Sequence, residues 1–370
     1  MSIFVSSGEA SGDHYIAEVA RRLRAAGSDE ELWGMGGGES RDAGVDVLWP
    51  AEKLQLLGLT EVFSAIPMLF RLRNEMVDMI MERQPKAVVV CDSPDYHLRV
   101  LAKLKSRGYR GRVFYISPPS VWAWRKGRVK QLKRYVDENL PLFKFEHDYL
   151  CEHGCTSFWR GHPFAEEFRH EEKLVSPPAA GKVVFLPGSR RSEIKSLLPI
   201  MRETAGRLAE RGYESMFSVA PGLAPDVRAK MIEEFKRDGV AYYEGPGRSL
   251  MRGAACAVAA SGTVTLEALL AECYTVVAYK LSPISAFAAL LLIHIKWFAV
   301  PNILADAEVF PELLQWNATA DNMTRAVLDW LENREAMRDE KKKLMAKARA
   351  LLGDDGAYDL WCERITGVSA

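Results

Sequence analysis

Cysteine is scarce in this chain: Cys91, Cys151, Cys155, Cys256, Cys273 and Cys362 are the only six among 370 residues. That is too few, and too scattered, for a disulfide framework, so the thiols are expected to be reduced. Cys151, His153 and Cys155 lack the spacing of a zinc knuckle, and no second pair completes four ligands. Net charge is absent as well, with 49 Lys plus Arg against 49 Asp plus Glu. No overall field draws nucleic acid to such a chain, and an anionic partner needs a local site. Gly (27) and Pro (18) are too few for collagen or a disordered polymer. Long apolar runs are missing too. The best candidate, 281–301, is interrupted by Pro283, His294 and Lys296, which leaves about ten apolar residues in a row where a span needs roughly 20. The opening MSIFVSSGEASGD has no basic region, long apolar stretch or cleavage site of a signal peptide, so the cytoplasm is the expected compartment.

What is present is alternation. Short apolar runs followed by amphipathic stretches recur along the chain, the mark of βα units and a parallel sheet. In the first half the pattern predicts strands at 3–7, 87–91, 113–117 and 139–143, with helices at 13–26, 62–82 and 98–105. A charged stretch ending in Pro-Pro, Ala-Ala and Gly follows, and then a new buried strand, VVFLP. The second half predicts strands at 183–186, 216–220, 241–243, 257–260 and 275–279, with helices at 193–210, 226–236 and 265–272. The expected fold class is α/β: two Rossmann-like doubly wound domains, 1–170 and 183–345, joined by a linker at 171–182, facing across a cleft and followed by a helical tail at 346–370.

Two stretches stand apart. Between Tyr96 and Tyr135 lie 12 Lys or Arg residues and no Asp or Glu. This is either a solvated face or a patch for phosphate groups, and with Trp122 and Trp124 inside it anionic lipid is favoured over nucleic acid. The apolar segment 281–301 is either a buried helix or one lying in a membrane interface, with Trp297 and Phe298 as anchors.

Chemistry is expected where turns follow strands. Gly8-Glu9-Ala10-Ser11-Gly12-Asp13 joins the first strand to the first helix, where Gly permits close approach and Ser11 or Asp13 can cap. It is neither a dinucleotide fingerprint nor a Walker A loop. Gly188, Ser189 and Arg190 offer backbone N–H groups and a planar fork to a phosphate. Ser261, Gly262 and Thr263 open a helix whose N-terminus suits a diphosphate, and Glu267 one turn on suits sugar hydroxyls. Asp92 and Asp95 stand at the end of a buried strand, where one carboxylate can serve as a general base. No Asp-x-Asp or His/Asp/Glu cluster has metal-ligand spacing, so no metal and no cofactor is expected.

The segments Gly8–Asp13, Asp92-Ser93-Pro94-Asp95, Ser120-Val121-Trp122-Ala123-Trp124-Arg125, Gly161-His162-Pro163, Leu186-Pro187-Gly188-Ser189-Arg190, Ser261-Gly262-Thr263 and Pro301-Asn302 occur in this order over nearly the whole chain. As an ordered set they resemble the lipid-A-disaccharide synthase family. The resemblance implies an inverting glycosyltransferase of GT-B architecture that joins UDP-2,3-diacylglucosamine to 2,3-diacylglucosamine 1-phosphate, forming a β-1,6 disaccharide and UDP. It further implies a peripheral position on the cytoplasmic face of the bacterial inner membrane, no nucleic-acid partner, and room for a homo-oligomer. On this reading Asp92 is the base, with Asp95 and Glu9 as lesser groups, and Ser11, Gly12 and Asp13 serve the acceptor. Gly188, Ser189, Arg190, Ser261, Gly262, Thr263, Glu267 and Asn302 serve the donor. Two departures stand out: Leu142-Phe143-Lys144-Phe145-Glu146 replaces the family's usual Leu-Pro-Phe-Glu, and Asp306-Ala307 replaces a usual Gly-Arg.

Overall fold

The structure is a computed structural model that describes residues 2–51, 62–170, 178–280 and 295–367. It contains two six-stranded sheets in which every neighbouring pair is parallel. The first comprises β1 (Ser2–Ser7), β2 (Glu31–Gly36), β3 (Asp46–Pro50), β4 (Ala87–Cys91), β5 (Arg112–Ile116) and β6 (Glu138–Leu140), in the order β3-β2-β1-β4-β5-β6. The second comprises β7 (Val183–Leu186), β8 (Ser215–Val219), β9 (Tyr242–Glu244), β10 (Cys256–Ala260), β11 (Thr275–Tyr279) and β12 (Glu312–Leu314), in the order β12-β11-β10-β7-β8-β9. Each is the doubly wound order, reversing direction between its first and fourth strands, and that reversal leaves a crevice at the strands' C-terminal ends. β4 and β10 are buried at every residue, because helices cover both faces of a parallel sheet.

β2, β3 and β12 are not among the strands predicted above; β3 and β12, of five and three residues, carry little periodicity. The first helix begins at Ala10, ahead of the predicted start at 13. Glu9 is its N-cap, and Ser11, Gly12 and Asp13 lie in its first turns, so neither Ser11 nor Asp13 caps this helix.

The chain divides into two units, Met1–Arg169 with Leu352–Ala370, and His170–Leu351. The tail expected at 346–370 is therefore split. Helix Arg334–Ala350 belongs to the second unit, while helix Ala357–Thr366 buries Tyr358, Trp361 and Ile365 in the first unit's core beside Tyr15 and Ile16. Glu166 fixes that return, accepting the N–H groups of Gly356 (3.0 Å) and Ala357 (2.9 Å) and pairing with Arg22 at 2.7 Å.

No described helix is long and apolar enough to cross a membrane. Most of 281–301 lies outside the described residues. Of its end, Phe298 stacks on Tyr279 and Trp297 donates to Asp306 at 3.4 Å. The basic stretch is answered in part by acids from its surroundings. Arg107 pairs with Asp78, Lys105 with Asp137, Arg112 with Glu138, and Arg125 and Arg128 with Asp95. It is not a bare cationic face, although Arg99, Arg110, Lys126, Lys130, Lys133 and Arg134 remain exposed.

Candidate active site

The reversal in the first sheet lies between β1 and β4, and the loops leaving those strands meet there. Asp92 directly follows β4 with φ 53°, and Ser93 follows with φ 42°. A non-glycine residue in the left-handed region costs about 1–2 kcal/mol and has to be held. The Asp92 carbonyl accepts from the Tyr115 hydroxyl (2.7 Å) and from His97 Nδ1 (2.9 Å), while His97 Nε2 accepts from the Ser6 hydroxyl (2.8 Å). A carbonyl can only accept, so Nδ1 carries the imidazole proton. Burial lowers the His97 pKa to about 4, and the ring stays neutral.

So fixed, the Asp92 side chain turns toward the β1 loop. Its Oδ1 accepts the Gly8 N–H at 3.0 Å and its Oδ2 the Glu9 N–H at 3.2 Å. The glycines explain themselves: a Cβ on Gly12 would stand 1.8 Å from Asp92 Oδ2, and one on Gly8 would stand 2.1 Å from Ser93 Oγ. Burial, opposed by hydrogen bonds from the Ser93 side chain and the Gly8 and Glu9 N–H groups and reinforced by the Glu9 charge, pushes the Asp92 carboxyl up to about 7. Glu9 itself is exposed at the loop's edge. Ser11 is exposed, but Asp13 is buried and fully engaged. Its oxygens accept from Gly37 N (2.6 Å), Glu39 N (3.1 Å) and the Ser40 hydroxyl, anchoring the helix Gly38–Asp42. Asp95 lies in the first turn of helix Pro94–Ser106, mostly exposed, and its Oδ1 bridges Arg125 (2.7 Å) and Arg128.

In the second sheet the reversal lies between β7 and β10. Gly188, Ser189, Arg190, Ser261, Gly262, Thr263 and Glu267 all line one concavity there, of about 320 Å³, together with Glu193 and Gly247. The turn after β7 is not as expected. The N–H groups of Ser189 and Arg190 already donate to Glu193 Oε2, at 3.1 and 3.2 Å, and Arg190 Nη1 meets Glu193 Oε1 at 3.3 Å. Gly188, with φ 109°, leaves space for that carboxylate. The turn therefore offers a guanidinium more than backbone donors, and the backbone donors for an anion are those of helix Thr263–Leu270. Asn302 is not in the concavity. It is wholly buried, its amide donating to Phe310 O (2.7 Å) and Glu312 Oε1 (2.8 Å) and accepting from Phe310 N (2.9 Å). Among the described residues no group of three or more His, Cys, Asp or Glu is placed to hold a metal ion.

The family model described as lipid-A-disaccharide synthetase matches residues 3–358. The chain belongs to the lipid-A-disaccharide synthase family. It is 35% identical over 367 residues to lipid-A-disaccharide synthase of Myxococcus xanthus, covering 96% of this chain and 94% of that protein. It is 36% identical to the enzyme of Anaeromyxobacter dehalogenans strain 2CP-C, covering 99% and 97%. Among solved structures, UDP-GlcNAc 2-epimerase of Neisseria meningitidis bound to UDP-GlcNAc is similar in fold, with TM-score 0.65, 11% identity and coverage of 99% and 100%. MurG of Acinetobacter baumannii is similar at TM-score 0.57, 13% identity and coverage of 99% of both chains. The chain is thus a UDP-sugar glycosyltransferase of two-domain GT-B architecture that forms the lipid A disaccharide.

Both departures from the family pattern have structural readings. Asp306 ends helix Val300–Ala305 at φ 47°, the left-handed position that glycine ordinarily fills and that Asp tolerates. In the other, Phe145 packs edge-on to Trp122 at 5.0 Å, Phe143 lies 4.8 Å from the His162 ring, and Glu146 accepts from Trp122 Nε1 at 3.1 Å. Burial pushes the Glu146 carboxyl up to about 7. Sequence reading missed Glu146, Glu193, His97 and Tyr115 as supporting residues. Only Glu193 left a signal, a Glu three residues beyond a helix N-cap.

Proposed function

We propose that the protein transfers 2,3-diacylglucosamine from UDP to O6 of 2,3-diacylglucosamine 1-phosphate, with Asp92 as general base in the first domain and UDP held in the second. Asp92 takes the O6 proton as O6 bonds to the donor's anomeric carbon. The bond from that carbon to the diphosphate oxygen breaks, and UDP leaves with the electron pair. Attack opposite the leaving group inverts the carbon. One observation carries this reading: a carboxylate fixed at the first sheet's strand reversal by the N–H groups of Gly8 and Glu9 and poised to ionise near neutrality. Charge developing on UDP is met by the N-terminus of helix Thr263–Leu270 and by Arg190, with Glu267 toward the sugar hydroxyls. That arrangement needs no divalent ion, so turnover is expected to persist in EDTA.

The deciding experiment incubates the protein with both lipid sugars and identifies products by mass spectrometry and anomeric NMR. A β-linked disaccharide phosphate plus UDP supports the reading, whereas an epimerised or freed sugar refutes it. Peripheral binding to an anionic membrane surface is part of the proposal, since lipid substrates leave a bilayer only at high cost. Co-flotation with anionic liposomes at low salt, weakened as salt rises, is the expected outcome.

A further inference from the structure

We propose that Arg125 and Arg128, set around the indole of Trp124 and bridged by Asp95, form the seat for the phosphate monoester of the acceptor sugar. The inference rests on the reading that the acceptor lies against Asp92. Asp95 is three residues beyond Asp92, about one helical turn, so the two arginines are brought to the same end of the sheet as the base. In a hexopyranose C1 and C5, which carries the 6-hydroxymethyl group, both flank the ring oxygen, so the 1-phosphate and the 6-hydroxyl lie near each other on separate carbons. Base and phosphate seat must then be neighbours without coinciding, as Asp92 and the Asp95 bridge are.

The loop is built rather than loose. Arg125 holds φ 48° in a residue with a side chain, a conformation that persists only when its surroundings enforce it. Its guanidinium lies 4.4 Å from the Trp124 ring centroid, and that of Arg128 lies 5.7 Å away. Upstream, Ser120 and Trp122 donate to the buried Glu146, at 3.4 and 3.1 Å, so the loop is tied down at both ends. An exposed ion pair contributes about 0–1 kcal/mol, too little by itself to explain a strained backbone. Two cations share one oxygen of one carboxylate here, with Lys126 exposed beside them, so the group keeps positive charge. A phosphate monoester brings three acceptor oxygens and nearly two negative charges, a better match to two planar forks than the single Asp95 oxygen.

The test uses the full chain in neutral-detergent micelles, where no anionic surface contributes. KM and kcat are measured with the phosphorylated acceptor and with the same lipid lacking phosphate, for wild type, Arg125→Gln, Arg128→Gln and Arg125→Lys. Each Gln variant is expected to raise KM for the phosphorylated acceptor about 10- to 100-fold, the range for a lost charged hydrogen bond. KM for the phosphate-free acceptor and for the UDP-sugar should not move, and Arg125→Lys should recover part of the loss. Millimolar inorganic phosphate should compete with the acceptor in wild type and lose that effect in the Gln variants. Arg125 is well exposed, so its variants keep the fold even where Arg128→Gln does not, and thermal melts separate the two. Preference for the phosphorylated acceptor retained in Arg125→Gln overturns the inference. So does a defect seen only on anionic vesicles, which assigns these residues to the lipid headgroups of the surface. If wild type makes no disaccharide at all, the functional reading beneath the inference fails, a result distinct from either.

Discussion

The two strand reversals are built to one plan and differ in what occupies them. In the first domain the carboxylate comes from the end of the fourth strand and reaches across to the first-strand loop, where Asp92 takes the N–H groups of Gly8 and Glu9. In the second it comes from the first helix and reaches back to its own loop, where Glu193 takes those of Ser189 and Arg190. The local hydrogen bonding is nearly the same. The consequence differs, because in the first domain the acid occupies the crevice, while in the second the end of the fourth strand is left as a helix N-terminus opening on a concavity. A protein carboxylate fills one anion seat, and the other is the one proposed above for the diphosphate.

The strongest way to break that contrast is Asp92→Asn. It is expected to keep the fold and UDP binding and to lose about 10²- to 10⁴-fold in turnover, the usual contribution of a positioned base. Wild-type kcat should rise with pH along a limb near 7, the value to which burial brings this carboxyl, and the residual activity of the variant should lack that limb. Stability should move the other way. The folded-state pKa lies above the unfolded one, so the native chain holds an extra proton between about 4 and 7, and this group's contribution falls as pH rises through that window. One pKa unit corresponds to about 1.4 kcal/mol, so Asp92→Asn, whose amide keeps one acceptor for Gly8 or Glu9 and loses the other, should gain in melting temperature relative to wild type as pH rises from 4 to 8. A difference between the two proteins that does not move in the variant's favour over that window sinks the picture of a strained base.

Arg190→Ala tests the second seat. With the backbone donors of its turn given to Glu193, the guanidinium is what this loop has left for a phosphate, and its loss should raise KM for the UDP-sugar about 10- to 100-fold. The acceptor KM should hold. Unchanged kinetics at subsaturating donor would falsify the assignment.

How much of this was legible follows the range of the interactions. Most of the sheet strands were, because buried parallel strands such as AVVVC and CAVAA are local runs, and the Gly-rich turns were, because glycine marks close approach before its partner is known. That Gly12 exists for Asp92, 80 residues away, is a contact that no local pattern carries. Asp13 and Asn302 show the opposite failure. A polar residue inside a motif reads as ligand-binding until its partners are seen, and both are spent on anchoring backbone. Glu146 was overlooked for a related reason. Nothing nearby in sequence distinguishes a glutamate buried under Trp122 from one on a solvated helix face.

The finest test of the comparison is Glu193, where charge and shape pull apart. As a cap it shapes the turn; as a negative charge lining the concavity it opposes the diphosphate and favours product release. Glu193→Gln keeps an oxygen for the two N–H groups and removes the charge. UDP should then bind more tightly, by about threefold to tenfold, since a charge in an open pocket acts through high effective dielectric and counts for roughly 1 kcal/mol. The gain should shrink as salt rises, and kcat should fall if UDP release limits turnover. Glu193→Ala removes oxygen and charge together, frees the turn around Gly188, and should bind UDP more weakly than wild type. Calorimetric titration of UDP into the three proteins reads the signs directly. Opposite signs for Gln and Ala mean that this acid tempers its site in addition to capping a helix. Weaker binding in both reduces it to a cap, and the likeness between Glu193 and Asp92 then ends at their hydrogen bonds.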